Sequence, residues 1–176
     1  LSALDAKAFG AKRLLFVVHR LNIAKKAIQE FKSVLGTSRT YGLYSGAERN
    51  YSADFIFSTV QTINSDTHLQ KFKENEFDYI IIDETHRAGA KTYQRVIDYF
   101  QPKFLVGMTA TPERTDGFDI FSLFDHNIAF EIRLHHAMES DLLSPFHYYG
   151  VSDVSVDGEN IDEKSNFQQL TTDSRV

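Results

Sequence analysis

The chain has 176 residues, of which 42% are hydrophobic and 24% are charged, and its net charge is −5. This length and composition are typical of one globular domain and exclude a chain that is disordered or fibrous throughout. Cysteine is absent, which excludes disulfide frameworks and thiolate metal sites, so we expect a cytoplasmic protein.

Short apolar runs alternate with segments of helical period from the beginning of the chain. The first run, Leu14–Val18, is continuously apolar, as in a strand buried on both faces. None of the runs approaches the roughly 20 residues that span a membrane, so we expect no membrane partner. The predicted strands are 14–18, 41–44, 55–59, 77–82 and 103–108. The predicted helices are 22–34, 62–72 and 91–100, with a turn region at 45–51. Such alternation predicts an α/β fold with a parallel sheet and helices on both faces.

The pattern changes after Asp125. Residues 126–133 are compatible with a strand, 134–140 with a short helix, and 146–151 with the first strand of a following segment. The polar, acidic stretch 152–176 has no period and predicts a linker or loop. We therefore expect one domain at 1–144, followed by a linker and an incomplete segment at 145–176.

Polar residues follow two of the predicted strands at the point where each strand ends. Asp83-Glu84-Thr85-His86 follows one strand, and Thr109-Ala110-Thr111-Pro112 follows the next. Ligands of open parallel sheets bind beyond the carboxyl ends of the strands, and paired carboxylates there suit a site for magnesium and a nucleotide.

These two boxes resemble motifs II and III of superfamily 2 helicases, in the branch of restriction-enzyme motor subunits. Residues 16–20 resemble motif Ia, and 58–62 resemble the Thr-x-Gln segment of that branch. The resemblance covers 14–151. It implies a RecA-like first lobe and an ATP hydrolase that acts as a helicase or translocase on nucleic acid, with DNA favoured over RNA.

The resemblance also implies roles for particular residues. Asp83 would hold Mg²⁺ through water, Glu84 would be the general base, and His86 would couple hydrolysis to strand binding. Thr109 and Thr111 would link the nucleotide site to the nucleic-acid groove.

Four further residues would lie near the sugar-phosphate backbone, where contacts position the strand without reading its sequence. They are His19, Arg20, Thr59 and Gln61. The simpler interpretation is that His19 and Arg20 are ordinary surface residues and that Thr59 and Gln61 cap the next helix.

The sequence departs from the family pattern in lacking a Gly-x-Gly-Lys-Thr phosphate loop. We therefore expect that loop and its strand to precede Leu1 in a parent protein, so that the lobe is truncated at its N-terminus, and a second RecA-like lobe to follow. Without them, the chain should bind ATP and Mg²⁺ weakly, if at all, and hydrolyse ATP negligibly.

Two alternatives from other classes remain open. One is a non-catalytic RecA-like scaffold or binding module, although a scaffold has no need of a catalytic base. The other is a metal-dependent hydrolase with histidine and aspartate ligands, drawn from Asp83, His86, His126, His135 and His136. His135 and His136 are adjacent on a predicted helix and point apart, which disfavours a shared metal.

Overall fold

The computed structural model describes residues 1–85, 91–111, 119–140, 142–144, 155–156 and 159–160. The chain divides into two compact units, Leu1–Ala129 and Phe130–Val176. The predicted boundary after Ser144 falls inside the second unit, and the domain assignment stays a prediction.

A six-stranded sheet forms the centre of the first unit. Its strands are β1 (Leu14–Val18), β2 (Tyr41–Ser45), β3 (Glu48–Arg49), β4 (Phe55–Thr59), β5 (Tyr79–Asp83) and β6 (Phe104–Met108). Their order across the sheet is β3-β2-β4-β1-β5-β6. All neighbours run parallel except β3, which pairs antiparallel with β2 inside the predicted turn region. The predicted parallel sheet is thus confirmed, with one short antiparallel strand added at its edge.

Helices cover both faces of this sheet. They are α1 (Ser2–Phe9), α2 (Leu21–Leu35), α3 (Val60–Ile63), α4 (Asp66–Leu69) and α5 (Lys91–Tyr99), and a 3-10 helix follows at Phe121–Phe124. Leu15 and Val17 of β1 join a buried cluster with side chains of α3, α4 and α5. Leu14, Phe16 and Val18 join a second cluster with α1 and α2. Because side chains alternate along a strand, the continuously apolar β1 supplies both clusters and lies at the centre of the fold.

The single helix predicted over 62–72 is wrong. The structure has two short helices there, because α3 ends at Ile63, with Asn64 at its cap position, and α4 begins after Ser65. Asn and Ser favour helix ends over helix interiors, since their short polar side chains compete for backbone hydrogen bonds. The apolar residues Ile63, Leu69 and Phe72 are nevertheless buried in one cluster, which explains the helical spacing in the sequence.

The strand considered for 126–133 is also wrong. That segment has no regular structure, and its alternating apolar side chains Ile128 and Phe130 are 55% and 72% exposed. Alternation alone does not make a strand where no neighbouring strand offers hydrogen bonds.

In the second unit, α6 (Leu134–Glu139) confirms the predicted short helix. β7 (Ser155–Val156) pairs antiparallel with β8 (Glu159–Asn160), so the expectation of no regular structure after Ser152 fails for these residues. The predicted strand at 146–151 lies outside the described residues. Within the described part of the chain, no helix has both the length and the apolar character needed to cross a membrane.

Candidate functional site at the carboxyl edge of the sheet

The carboxyl ends of five parallel strands lie along one edge of the sheet. At this edge the register pairs Val18 of β1 with Thr59 of β4, and Asp83 of β5 with Met108 of β6. The polar residues that end or follow these strands are therefore neighbours in space, as expected for the ligand edge of a parallel sheet.

Asp83 and Glu84 stand at the tip of β5. Asp83 is the last residue of the strand and is half-buried, and its Oδ1 accepts a hydrogen bond from the Glu84 backbone N–H at 3.0 Å. Glu84 has a φ of 56°, in the left-handed region that residues other than glycine rarely adopt. Such backbone conformations cluster at active sites, because a surrounding fold must hold them. The strand thus delivers two consecutive carboxylates on a sharply turned backbone.

Thr109 and Thr111 follow the tip of the neighbouring strand. Met108 pairs with Asp83, so Thr109 begins one residue beyond that pair. The Thr109 Oγ1 accepts a hydrogen bond from the Thr111 backbone N–H at 3.1 Å, which closes a small turn. The predicted proximity of the two boxes is present in the sheet register, whereas the roles of their residues stay predictions.

His19 and Arg20 lie where β1 passes into α2. His19 is half-buried, while Arg20 is exposed and occupies the N-terminal cap position of α2. The Arg20 carbonyl accepts the first helical hydrogen bond, from the Ala24 N–H at 3.2 Å, and no side chain caps the helix. Arg20 therefore presents its guanidinium to solvent at the same edge as Asp83.

Thr59 belongs to a cluster of three hydroxyls between β2, β4 and α3. Its Oγ1 lies 2.8 Å from Ser45 Oγ and 3.0 Å from Thr62 Oγ1, and Thr59 is only 7% exposed. Thr59 occupies the cap position of α3, but its side chain makes no capping hydrogen bond. The simpler interpretation of Thr59 as a helix cap thus fails, although its role stays a prediction. Gln61, one residue into the helix, is exposed.

The sequence analysis did not predict that Ser45 and Thr62 lie at this site. Their contacts form because β2 packs beside β4. The one sequence signal that could have indicated them is the recurrence of Ser and Thr after apolar runs.

The N-terminal end of α1 lies at the same edge, beside β6. Ser2 Oγ donates a hydrogen bond to Met108 Sδ at 3.0 Å, and Met108 is the residue paired with Asp83. The amide groups of a first helical turn carry partial positive charge, which favours a phosphate near them. A carboxylate for a cation and a helix terminus for an anion therefore fit magnesium and a nucleotide phosphate at one edge.

The structure describes only some of the histidines that the sequence analysis singled out. His86 lies outside the described residues. Among the histidines considered for a metal site, His126 is exposed, with its Nε2 3.8 Å from Asp119 Oδ2. The residues described here contain no group of three or more His, Cys, Asp or Glu side chains arranged to hold a metal ion. Because His86 is not among them, the metal-hydrolase alternative is not tested.

The sequence model of the type III restriction enzyme res subunit matches residues 2–114. The chain belongs to this family. The match includes the carboxylate box and Thr109 and Thr111, so the resemblance to superfamily 2 motor proteins is confirmed.

Relatives with known names agree with this family assignment. The chain is 28% identical, over 86% of its length, to the type I restriction enzyme EcoAI endonuclease subunit of Escherichia coli. It is 33% identical, over 60% of its length, to a protein of Acanthamoeba polyphaga mimivirus named as a candidate ATP-dependent RNA helicase. These matches cover 19% and 20% of the two relatives, so the chain spans about a fifth of their length.

A solved structure supports the fold. The helicase domain of Hef from Pyrococcus furiosus superposes with a TM-score of 0.57 at 19% identity, covering 70% of this chain and 30% of that one. The RecA-like fold predicted from the sequence is therefore confirmed.

Proposed function

We propose that this chain is part of an ATP-dependent helicase or translocase and supplies the carboxylates that activate water beside a nucleotide. The observation that carries the proposal is the pairing of Asp83 with Met108, which sets Asp83 and Glu84 beside Thr109 at the edge where α1 begins. Relatives named as an ATP-dependent helicase and as a restriction enzyme subunit support the same class of activity.

Each carboxylate has a separate task in this proposal. Asp83 would hold Mg²⁺ through water, because a half-buried carboxylate at a strand tip is a hard oxygen ligand of the kind that this ion prefers. When bound, Mg²⁺ neutralises charge on the phosphates of ATP. Glu84 orients the attacking water and accepts its proton, as a general base positioned by the left-handed backbone. His86 would couple this step to strand binding.

Thr109 and Thr111 couple changes at the nucleotide site to the groove that binds the nucleic acid. Their turn starts one residue after the partner of Asp83, so a shift of the carboxylates reaches it directly. Two-state elements that touch both sites are the physical basis of such coupling.

The nucleic-acid strand would pass along the same edge, over β1, β4 and α3. Arg20 and Gln61 are exposed there and can donate to phosphate oxygens, with His19 beside them. Thr59 would act through its cluster with Ser45 and Thr62, because its own hydroxyl is already engaged. DNA is the proposed substrate through the likeness to restriction enzyme subunits, and RNA is the alternative raised by the mimivirus relative.

The first test is steady-state ATP hydrolysis by the full-length protein with and without DNA or RNA. Glu84→Gln should lower turnover by about 10²- to 10⁴-fold, the usual contribution of a positioned base. Glu30→Gln, which neutralises an exposed acid on α2, serves as the matched control and should retain turnover. Equal turnover in wild type and Glu84→Gln would contradict the assignment.

The 176-residue chain alone should hydrolyse ATP negligibly in the same assay. The proposed site needs a phosphate loop and a second lobe to enclose the nucleotide, and these 176 residues contain no Gly-x-Gly-Lys-Thr run. Turnover equal to that of the full-length protein would refute this part of the proposal. The cytoplasmic location expected from the sequence stays a prediction.

A further inference from the structure

The side chain of Thr85 lies between the tips of β5 and β6. Its Oγ1 donates a hydrogen bond to the Met108 carbonyl at 2.7 Å, and the residue is only 1% exposed. The backbone pairing of the two strands extends to Asp83 and Met108. Thr85 therefore adds a side-chain link at the point where the strand ladder stops, between the residue after Glu84 and the residue before Thr109.

The methyl group of Thr85 is fixed as well. A Cβ placed on Gly107 would lie 2.8 Å from Thr85 Cγ2 and 2.4 Å from Phe124 Cζ, so β6 passes close to both side chains there. Glycine is required at 107 because any side chain would displace the threonine or the phenylalanine ring. Thr85 thus has a hydrogen bond to β6 through its hydroxyl and a close approach to β6 at Gly107 through its methyl group.

We propose that Thr85 is a positioning residue, which locks the carboxylate tip of β5 to the start of the Thr109 turn. The proposal rests on the proposed function of that site. Thr85 follows Glu84, whose φ of 56° needs support from its surroundings, and the bond to β6 supplies that support. Its acceptor is the carbonyl of the peptide that leads into Thr109. A displacement of Glu84 during a hydrolysis cycle is then transmitted through one hydrogen bond and one peptide unit to Thr109.

A positioning role for Thr85 and a purely stabilising role lead to different expected effects of substitution. A buried hydroxyl that only stabilises the fold affects stability wherever it lies, whereas a positioning hydroxyl also affects the catalytic step. Tyr99 offers a matched comparison, because its hydroxyl donates to the Phe72 carbonyl at the same distance of 2.7 Å. It lies on α5, away from the carboxyl edge.

The experiment compares Thr85→Val, Thr85→Ser and Tyr99→Phe in the full-length protein. Valine keeps the shape of threonine without the hydroxyl, serine keeps the hydroxyl without the methyl, and Tyr99→Phe removes the control hydroxyl. Thr85→Val should lower the nucleic-acid-stimulated kcat by about tenfold to a hundredfold, as expected for a displaced catalytic group. Its KM for ATP should change by less than about twofold, because the loss falls on the chemical step.

Thr85→Ser should recover most of the lost kcat, and Tyr99→Phe should leave kcat intact although its melting temperature falls as much as that of Thr85→Val. A wild-type kcat for Thr85→Val would overturn the proposal. An equal loss in Thr85→Ser would show that the hydrogen bond is not what positions Glu84, and an equal loss in Tyr99→Phe would reduce Thr85 to a stabilising residue. If the wild-type protein shows no nucleic-acid-stimulated hydrolysis, or Glu84→Gln equals wild type, the proposed function itself fails and this inference falls with it.

Discussion

Asp78 and Asp54 at the amino edge of the sheet differ from Glu84 at its carboxyl edge in the backbone conformation that carries them. At the amino edge, Asp78 accepts hydrogen bonds from the backbone N–H groups of Lys12 and Arg13, at 3.1 and 3.0 Å. Asp54 there accepts two bonds from Thr40, from its N–H and its hydroxyl, both at 2.8 Å. At the carboxyl edge, Glu84 is carried on a left-handed backbone that local preferences disfavour. The amino-edge acids hold strands together, and Asp83 likewise accepts a backbone N–H, whereas Glu84 has a backbone conformation that stability alone does not favour.

This difference separates acids with a structural reason for their position from Glu84, the proposed general base, within a single sheet. Acids that satisfy backbone N–H groups at strand starts have a sufficient structural reason for being there. Strained residues persist only where the surrounding fold holds them, which is the pattern of functional sites. Substitutions at the two edges should therefore separate stability from activity.

The largest effect on stability should come from Asp78→Ala at the amino edge. The change removes the acceptor of two N–H groups just before β1, one exposed and one half-buried, so we expect a loss of about 1–2 kcal/mol in the free energy of unfolding. Urea denaturation of the 176-residue chain measures it. Hydrolysis by the full-length protein, per folded molecule, should be unchanged, and a loss of activity without a loss of stability would break the comparison.

A smaller effect of opposite sign is expected from Glu84→Gly at the carboxyl edge. Glycine adopts positive φ without steric cost, so the variant should gain about 0.5–1 kcal/mol of unfolding free energy after the entropic cost of glycine is subtracted. Glu84→Gln keeps the side-chain shape and the strain, and is the matched control in the same urea titration. Equal stability of the two variants would mean that the left-handed backbone stores no strain.

The smallest effect should be the pH dependence conferred by Asp54. The hydrogen bonds from the Thr40 backbone and hydroxyl lower the pKa of Asp54 below its usual 3.8. A lowered folded-state pKa gives stability that is fully present above the unfolded value and is lost as the pH falls through the folded value. The urea midpoint of wild type should thus exceed that of Asp54→Asn at pH 6, and the difference should shrink as the pH falls below 3.8. A constant difference across that range would show that the Asp54 charge is not involved.

Sequence patterns predicted the central strands β1, β4 and β5 well because they are buried on both faces. The continuous apolar run Leu14–Val18 needs no tertiary information to be assigned, and the same holds for the other central strands. The helix α1 was not predicted, because its buried residues are the small Ala3 and Ala6, which give little periodic signal. The apolar alternation at 126–133 gave a wrong strand prediction, because strand formation depends on a neighbouring strand that the sequence pattern does not reveal.

The candidate site likewise has features that the sequence predicts and features that only the structure shows. Asp83, Glu84, Thr109 and Thr111 were found because each box follows an apolar strand, and parallel strands bring their carboxyl ends together. The bond from Thr85 to the Met108 carbonyl and the left-handed conformation of Glu84 were beyond the sequence, since both depend on the distance between two strand tips. The cluster of Ser45 and Thr62 with Thr59 depends likewise on contacts across strands.

The most direct test of the account is a crystal structure of the full-length protein with Mg²⁺ and a non-hydrolysable ATP analogue. The account predicts that the ion lies at the carboxyl edge, bridged by water to Asp83, with Glu84 facing the terminal phosphate and Thr85 still bonded to the Met108 carbonyl. A nucleotide bound at the amino edge, or at the carboxyl edge with both carboxylates turned away from it, would contradict the account.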